Sequence, residues 1–98
     1  MIRLQIEEGL DSSWHQTINY KVNYLLAPVL KNIKSGEINF YTCKQSKSLY
    51  YCCDMLGRDT GGQEFLFSVK SSNGKTAIND TVSRVRREFL RKDKRLIS

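Results

Sequence analysis

The chain has 98 residues and a formal net charge of +6, with 40% hydrophobic and 10% aromatic residues. This length and composition indicate one globular domain over 1–98 and exclude a disordered chain, and no apolar run approaches the roughly 20 residues of a membrane span. The start of the chain lacks the apolar centre of a signal peptide, and three cysteines do not suggest a secreted disulfide framework, so we expect a reduced cytoplasmic setting.

The first third of the sequence predicts a strand and then a long helix. Ile2, Leu4 and Ile6 alternate with polar residues, as in a half-buried strand. Apolar residues then recur at spacings of three and four, which is typical of an amphipathic helix. These residues are Trp14, Ile18, Val22, Leu25, Leu26, Val29, Leu30 and Ile33. Pro28 should bend this helix or separate its last turn, because proline removes a donor and clashes with the preceding turn. We expect Ser35-Gly36 to end it.

Three further strands and a second helix are predicted after residue 36. Alternating apolar positions mark the strands. They are Ile38, Phe40 and Thr42, then Leu49, Tyr51, Cys53 and Met55, then Phe65, Phe67 and Val69. The connections 44–47 and 57–62 are short and rich in polar residues or glycine, so we expect antiparallel hairpins. Asn73 or Thr76 should cap the amino terminus of the last helix.

The predicted order of elements is β-α-β-β-β-α. A strand, a helix and a strand in succession favour a right-handed crossover with parallel strands, and the later hairpins add antiparallel strands. Each helix has one apolar stripe and each strand one strongly apolar side. We therefore expect an α/β (α+β) fold, a two-layer sandwich with two helices on one face of a four-stranded mixed sheet and the other face open.

Nearly all of the net charge lies in the last predicted helix. Between Arg84 and Arg95 the sequence holds seven basic and two acidic residues. The apolar stripe of this helix is formed by Ile78, Val82, Val85 and Phe89. At 100° per residue, five basic residues share an arc of roughly 100° on the side opposite the stripe. They are Arg84, Arg87, Arg91, Lys94 and Arg95, with Arg86 on the flank and Lys92 at the edge of the stripe. Exposed guanidinium groups suit a phosphate-rich partner, so the pattern predicts nucleic-acid binding.

The segment 77–89 resembles the closing helix of the ribosome hibernation promoting factor and ribosome-associated inhibitor family. That family's pattern is Ala-Ile-Asp, three variable positions, Asp-Lys-Leu, one variable position and Arg-Gln-Leu. The residues identical to the pattern are Ala77, Ile78 and Arg87. Those of similar character are Arg84, Val85 and Phe89. Those that depart from the pattern are Asn79, Ser83 and Glu88. Element order, length and the Gly61-Gly62 turn also agree with the family.

The resemblance implies a protein that binds the small ribosomal subunit and its rRNA in the mRNA/tRNA decoding region and keeps idle ribosomes inactive. It resembles the short form, which lacks the extension that pairs ribosomes. The resemblance assigns rRNA contact to Arg84 and Arg87 first. Further candidates are Arg91, Lys92, Lys94, Arg95 and, from the first helix, Lys21. We expect no catalysis, no cofactor, no metal, no small-molecule substrate, no membrane and a monomer off the ribosome.

Two other functions remain open from the sequence. One is a general double-stranded-RNA-binding domain that acts off the ribosome, and the other is a small inhibitor that docks on an acidic protein. An enzyme is the least supported class. His15 with the cysteines lacks the Cys-x-x-Cys spacing of a zinc site, and no acid is placed to orient a nucleophilic pair. We expect Cys53 in the core and Cys52 on the outer face or edge of the sheet.

Four tyrosines lie off the main apolar positions. They are Tyr20, Tyr24, Tyr41 and Tyr50. Aromatic rings on an open face can stack on bases. Partial burial of amphipathic tyrosines is the interpretation that we favour over stacking.

Overall fold

The computed structural model of the chain describes residues 2–97, with side chains described for residues 2–92. The elements are β1 (Ile2–Ile6), α1 (Ser13–Leu26), a short 3₁₀ helix (Ala27–Asn32), β2 (Ile33–Gln45), β3 (Ser48–Asp59), β4 (Glu64–Ser71) and α2 (Gly74–Ile97). This is the predicted β-α-β-β-β-α order. No helix within residues 2–97 is long and apolar enough to cross a membrane.

The four strands form one sheet in the order β1-β2-β3-β4. β1 is parallel to β2, with Ile2 opposite Gly36, and the β2–β3 and β3–β4 pairs are antiparallel. In β4 the side chains of Phe65 and Phe67 are partly buried, whereas Leu66 between them is exposed. The helices therefore cover one face of the sheet and leave the other open, which confirms the predicted mixed-sheet sandwich.

The core lies between the two helices and the covered face of the sheet. Its fully buried side chains include Ile18, Leu26, Ile38, Phe40, Cys53, Met55, Ile78, Val82 and Val85. The Trp14 ring packs 4.9 Å from that of Phe40 and anchors the start of α1. Gly74 begins α2 against the same ring, since a Cβ there would lie 2.5 Å from a Trp14 carbon. The predicted core position of Cys53 is confirmed.

Helix α1 ends earlier than the sequence pattern predicts. It stops at Leu26, and Pro28 lies in the 3₁₀ helix that follows, so the predicted separation of the last turn at Pro28 is confirmed. The predicted helix end at Ser35-Gly36 was wrong, because β2 begins at Ile33 and Gly36 pairs with β1. Ile33 is buried in the same core as the apolar stripe of α1. Ile33 therefore continues the apolar spacing of α1 because it is buried, although it belongs to a strand.

The connection between β2 and β3 is tighter than predicted. Gln45 pairs with Ser48, so the turn consists of Ser46 and Lys47 rather than the predicted segment 44–47. Their φ angles are 49° and 71°. Two successive positive φ values are the geometry of a two-residue hairpin turn whose twist matches that of the strands.

The predicted turn 57–62 was also too long, because β3 continues to Asp59. Gly57 is a strand residue opposite Gly36, close to the register shift between Ile33 and Ser35 in the pairing of β2 with β3. A Cβ on Gly57 would lie 2.1 Å from the carbonyl oxygen of Ser35. Glycine at this position therefore allows two strand backbones to approach closely, which is a different role from forming a turn.

Candidate nucleic-acid interface

Helix α2 positions the candidate interface by burying one side of itself. The backbone amide of Thr76 donates a hydrogen bond of 3.1 Å to Oδ1 of Asn73, so Asn73 is the N-cap of the two predicted alternatives. The stripe Ile78, Val82, Val85 and Phe89 is buried as predicted. Phe89 meets the ring of Phe65 on β4 edge-on, at 5.3 Å between ring centres. This packing fixes which residues of α2 face outward.

The outward side of α2 carries Arg84, Arg87 and Arg91, all exposed. We call these three residues the arginine face. With Glu88, Leu90 and Phe67 they line one shallow depression in the surface. Arg91 forms an ion pair with Glu88, one helical turn away. Because ion pairs in contact with water contribute little free energy, Arg91 can exchange Glu88 for an external anion.

Lys92 lies apart from the arginine face, at the predicted edge of the buried stripe. Its ammonium is 3.6 Å from a carboxylate oxygen of Asp59 and 5.4 Å from the centre of the Phe89 ring. The Gln63 backbone amide donates to Asp59 and lowers the pKa of that carboxyl, and Lys92 adds to the effect. Lys92 thus holds α2 to the β3–β4 turn, and its predicted contact with RNA stays a prediction.

The remaining predicted contact residues, Lys94, Arg95 and Lys21, are not shown to be part of the arginine face. The backbone of α2 continues to Ile97, but the side chains of Lys94 and Arg95 lie outside the described residues. Lys21 is half-buried on α1, which packs beside α2. The structure therefore brings together Arg84, Arg87 and Arg91, and the other assignments stay predictions.

Two of the four tyrosines are far more exposed than we predicted. Tyr20 and Tyr24, one turn apart on α1, are 66% and 69% exposed. Their rings are parallel within 5°, with centres 6.1 Å apart. For this pair the prediction of partial burial was wrong, whereas Tyr41 and Tyr50 on the sheet are partly buried as predicted. Tyr20 lies about 200° around α1 from the buried Ile18, a phase that could have predicted its exposure.

The open face of the sheet has a different chemical character from α2. Arg58 and Glu64 form an ion pair there at 2.8 Å. The hydroxyl of Tyr41 donates to Asp54 at 3.0 Å, and this bond raises the pKa of Tyr41 to about 12. Glu64 and Asp54 on the open face thus each have a partner. Arg84, Arg87 and Arg91 lie on the helical side.

His15 and the three cysteines do not all lie together. Within residues 2–92, no group of three or more His, Cys, Asp or Glu side chains is arranged to hold a metal ion. His15 is exposed on α1, Cys53 is in the core, and Cys52 lies on the opposite side of the sheet, as predicted from strand alternation.

Two solved structures closely match this architecture. One is a ribosomal subunit interface protein from Coxiella burnetii, with a TM-score of 0.74 and 13% sequence identity over 95% of this chain and 97% of that chain. The other is the N-terminal domain of Protein Y from Thermus thermophilus, with a TM-score of 0.66 and 14% identity over 92% of this chain and 96% of that chain.

This chain shares their fold. The resemblance predicted from segment 77–89 is thereby confirmed at the level of the fold. No protein-family model matches the sequence, and no curated protein matches it. At 13–14% identity, the shared fold describes backbone architecture, and the function must be argued from the side chains of this chain.

Proposed function

We propose that this protein binds the ribosome and contacts the rRNA of the small subunit through the arginine face. The observation that carries the proposal is the exposure of Arg84, Arg87 and Arg91 on one side of a helix whose other side is buried. The similar fold of a ribosomal subunit interface protein supports the choice of the ribosome among polyanions. The resemblance of segment 77–89 points to the same target.

The proposed mechanism is occlusion without chemistry. Each guanidinium can donate two parallel hydrogen bonds to a phosphate, a geometry that lysine cannot reproduce. Contacts to phosphates fix position without reading sequence, so the shape of the RNA must supply the selectivity. A domain held in the decoding region by such contacts blocks mRNA and tRNA and keeps the ribosome idle.

Reversing charge on the arginine face tests the proposal. Arg84→Glu with Arg87→Glu should lower the affinity for purified small subunits by about a hundredfold or more, since each charge-assisted contact contributes roughly 1.5–3 kcal/mol. The circular dichroism spectrum should not change, because both side chains are exposed. With about five phosphates contacted, the slope of log K against log salt should be about −3.5 for the wild type and shallower for the variant.

A matched control is available at the β2–β3 turn. Lys44→Glu with Lys47→Glu makes the same change in net charge at exposed positions away from α2. This control should bind within about threefold of the wild type. Equal losses in both double variants would show that only total charge matters. Wild-type affinity in the arginine variant would overturn the proposed interface.

A further inference from the structure

Two cysteines meet on the open face of the sheet. The sulfur atoms of Cys43 on β2 and Cys52 on β3 are 3.3 Å apart. The strands are antiparallel neighbours in which Cys43 pairs with Tyr50 and Cys52 pairs with Tyr41, so the cysteines are diagonal to each other on one face. A disulfide has a sulfur separation of about 2.05 Å, so the two sulfur atoms would have to approach by a further ~1.2 Å for a bond to form.

The two thiols differ in their exposure to solvent. Cys43 is partly exposed, whereas Cys52 is buried among its neighbours. Burial, together with the contact from Cys43, raises the pKa of the Cys52 thiol to about 11. Cys43 is therefore the sulfur that a reagent in solution meets first, and Cys52 is placed to attack it from within the protein. The third cysteine, Cys53, is fully buried on the other side of the sheet.

We propose that Cys43 and Cys52 form a reversible intramolecular disulfide by exchange with a small-molecule disulfide. The Cys43 thiolate attacks the small disulfide, forms a mixed disulfide and releases one thiolate. Cys52 loses its proton to solvent, attacks the Cys43 sulfur and releases the second thiolate. The protein loses two protons and two electrons, and one small disulfide takes them up and becomes two thiols. A dithiol in excess reverses both steps.

The disulfide leaves the candidate RNA interface unchanged. Cys43 and Cys52 lie on the open face, and α2 packs on the opposite face against β3 and β4. The bond joins β2 and β3 across a hairpin already closed by its two-residue turn. Arg84 and Arg87 stay exposed in both redox states, so failure of this proposal and failure of the proposed RNA interface are separate outcomes.

Oxidised glutathione is the probe that tests the proposal. After oxidised glutathione is added and the protein is denatured, the number of alkylatable thiols should fall from three to one. The mass of the monomer should fall by two hydrogens. Cleavage after Lys34, Lys44, Lys47 and Arg58 should release peptides 35–44 and 48–58 still joined by a disulfide. Dithiothreitol should restore all three thiols.

Two variants identify the bonded pair. Cys53→Ala should still lose two alkylatable thiols and give the joined peptides, because Cys53 takes no part. Cys43→Ser should lose the joined peptides. Three thiols that stay alkylatable, a bond between Cys52 and Cys53, or a dimer joined through Cys43 would each overturn the proposal.

Discussion

Arg84 and Arg87 differ from Lys92, another predicted contact residue on α2, in what surrounds them. Among residues 2–92 neither forms an ion pair within 4 Å, whereas Lys92 is held by Asp59. A guanidinium without an internal partner can bind phosphate with no competing carboxylate to displace. For this reason we rank Arg84 and Arg87 ahead of Lys92 as RNA contacts.

The parallel rings of Tyr20 and Tyr24 suggest a second kind of contact at the residue scale. We infer that an unpaired base can stack on this exposed pair, next to Lys21 in sequence. Tyr20→Ala with Tyr24→Ala should lower small-subunit affinity by about tenfold, since stacking contributes roughly 1–3 kcal/mol per base. Titration of labelled protein with purified subunits measures the change.

The matched variant keeps the rings and removes only the hydroxyls. Tyr20→Phe with Tyr24→Phe should bind like the wild type, because every aromatic ring offers a stacking face. Wild-type binding by the alanine variant would show that these rings contact no base.

At the scale of the element, α2 depends on a cap that the structure identifies. Asn73→Ala should reduce the free energy of unfolding by about 1 kcal/mol, because it removes the acceptor for the Thr76 amide. Urea denaturation should show a lower midpoint with an unchanged slope. Thr76→Ala, the alternative cap in the sequence, should have little effect. A larger loss in Thr76→Ala than in Asn73→Ala would contradict the assignment.

The sequence was sufficient to predict α2 but not the boundaries of α1. In α2 the apolar stripe and the arginines recur with the period of an α-helix and lie on opposite sides of it, and no proline interrupts the segment. The sequence therefore predicted both the helix and which of its residues face outward. At the end of α1 the helical spacing continued to Ile33, which is buried from a strand. The spacing of apolar residues indicates which residues are buried, and a buried strand residue can continue the spacing of a preceding helix.

Turn geometry limited the prediction of the sheet. The predicted four-residue connection 44–47 gave no register for β2 against β3, and only the observed turn at Ser46-Lys47 places Cys43 beside Cys52. Neither turn residue is glycine, asparagine or aspartate, so the usual sequence signal for positive φ was missing. At Gly57 a glycine was present but did not mark a turn. Glycine suits both a turn and a close approach of two strands, so the sequence could not distinguish the two.

At the scale of the whole molecule, the fold separates two surfaces. The helical side presents the arginine face, and the open side of the sheet mixes charges, with Arg58 paired to Glu64. We expect a phosphate-rich partner to meet the helical side, because Arg84, Arg87 and Arg91 are exposed there. A general binder of double-stranded RNA would use the same asymmetry, so the target must be identified in the cell.

Sedimentation of cell extract on a sucrose gradient tests the ribosomal target most directly. The wild-type protein should migrate with small subunits or whole ribosomes, and Arg84→Glu with Arg87→Glu should remain at the top of the gradient. The control Lys44→Glu with Lys47→Glu should migrate like the wild type. A wild-type protein found only at the top, while still binding RNA in solution, would contradict ribosome binding and favour a function away from the ribosome.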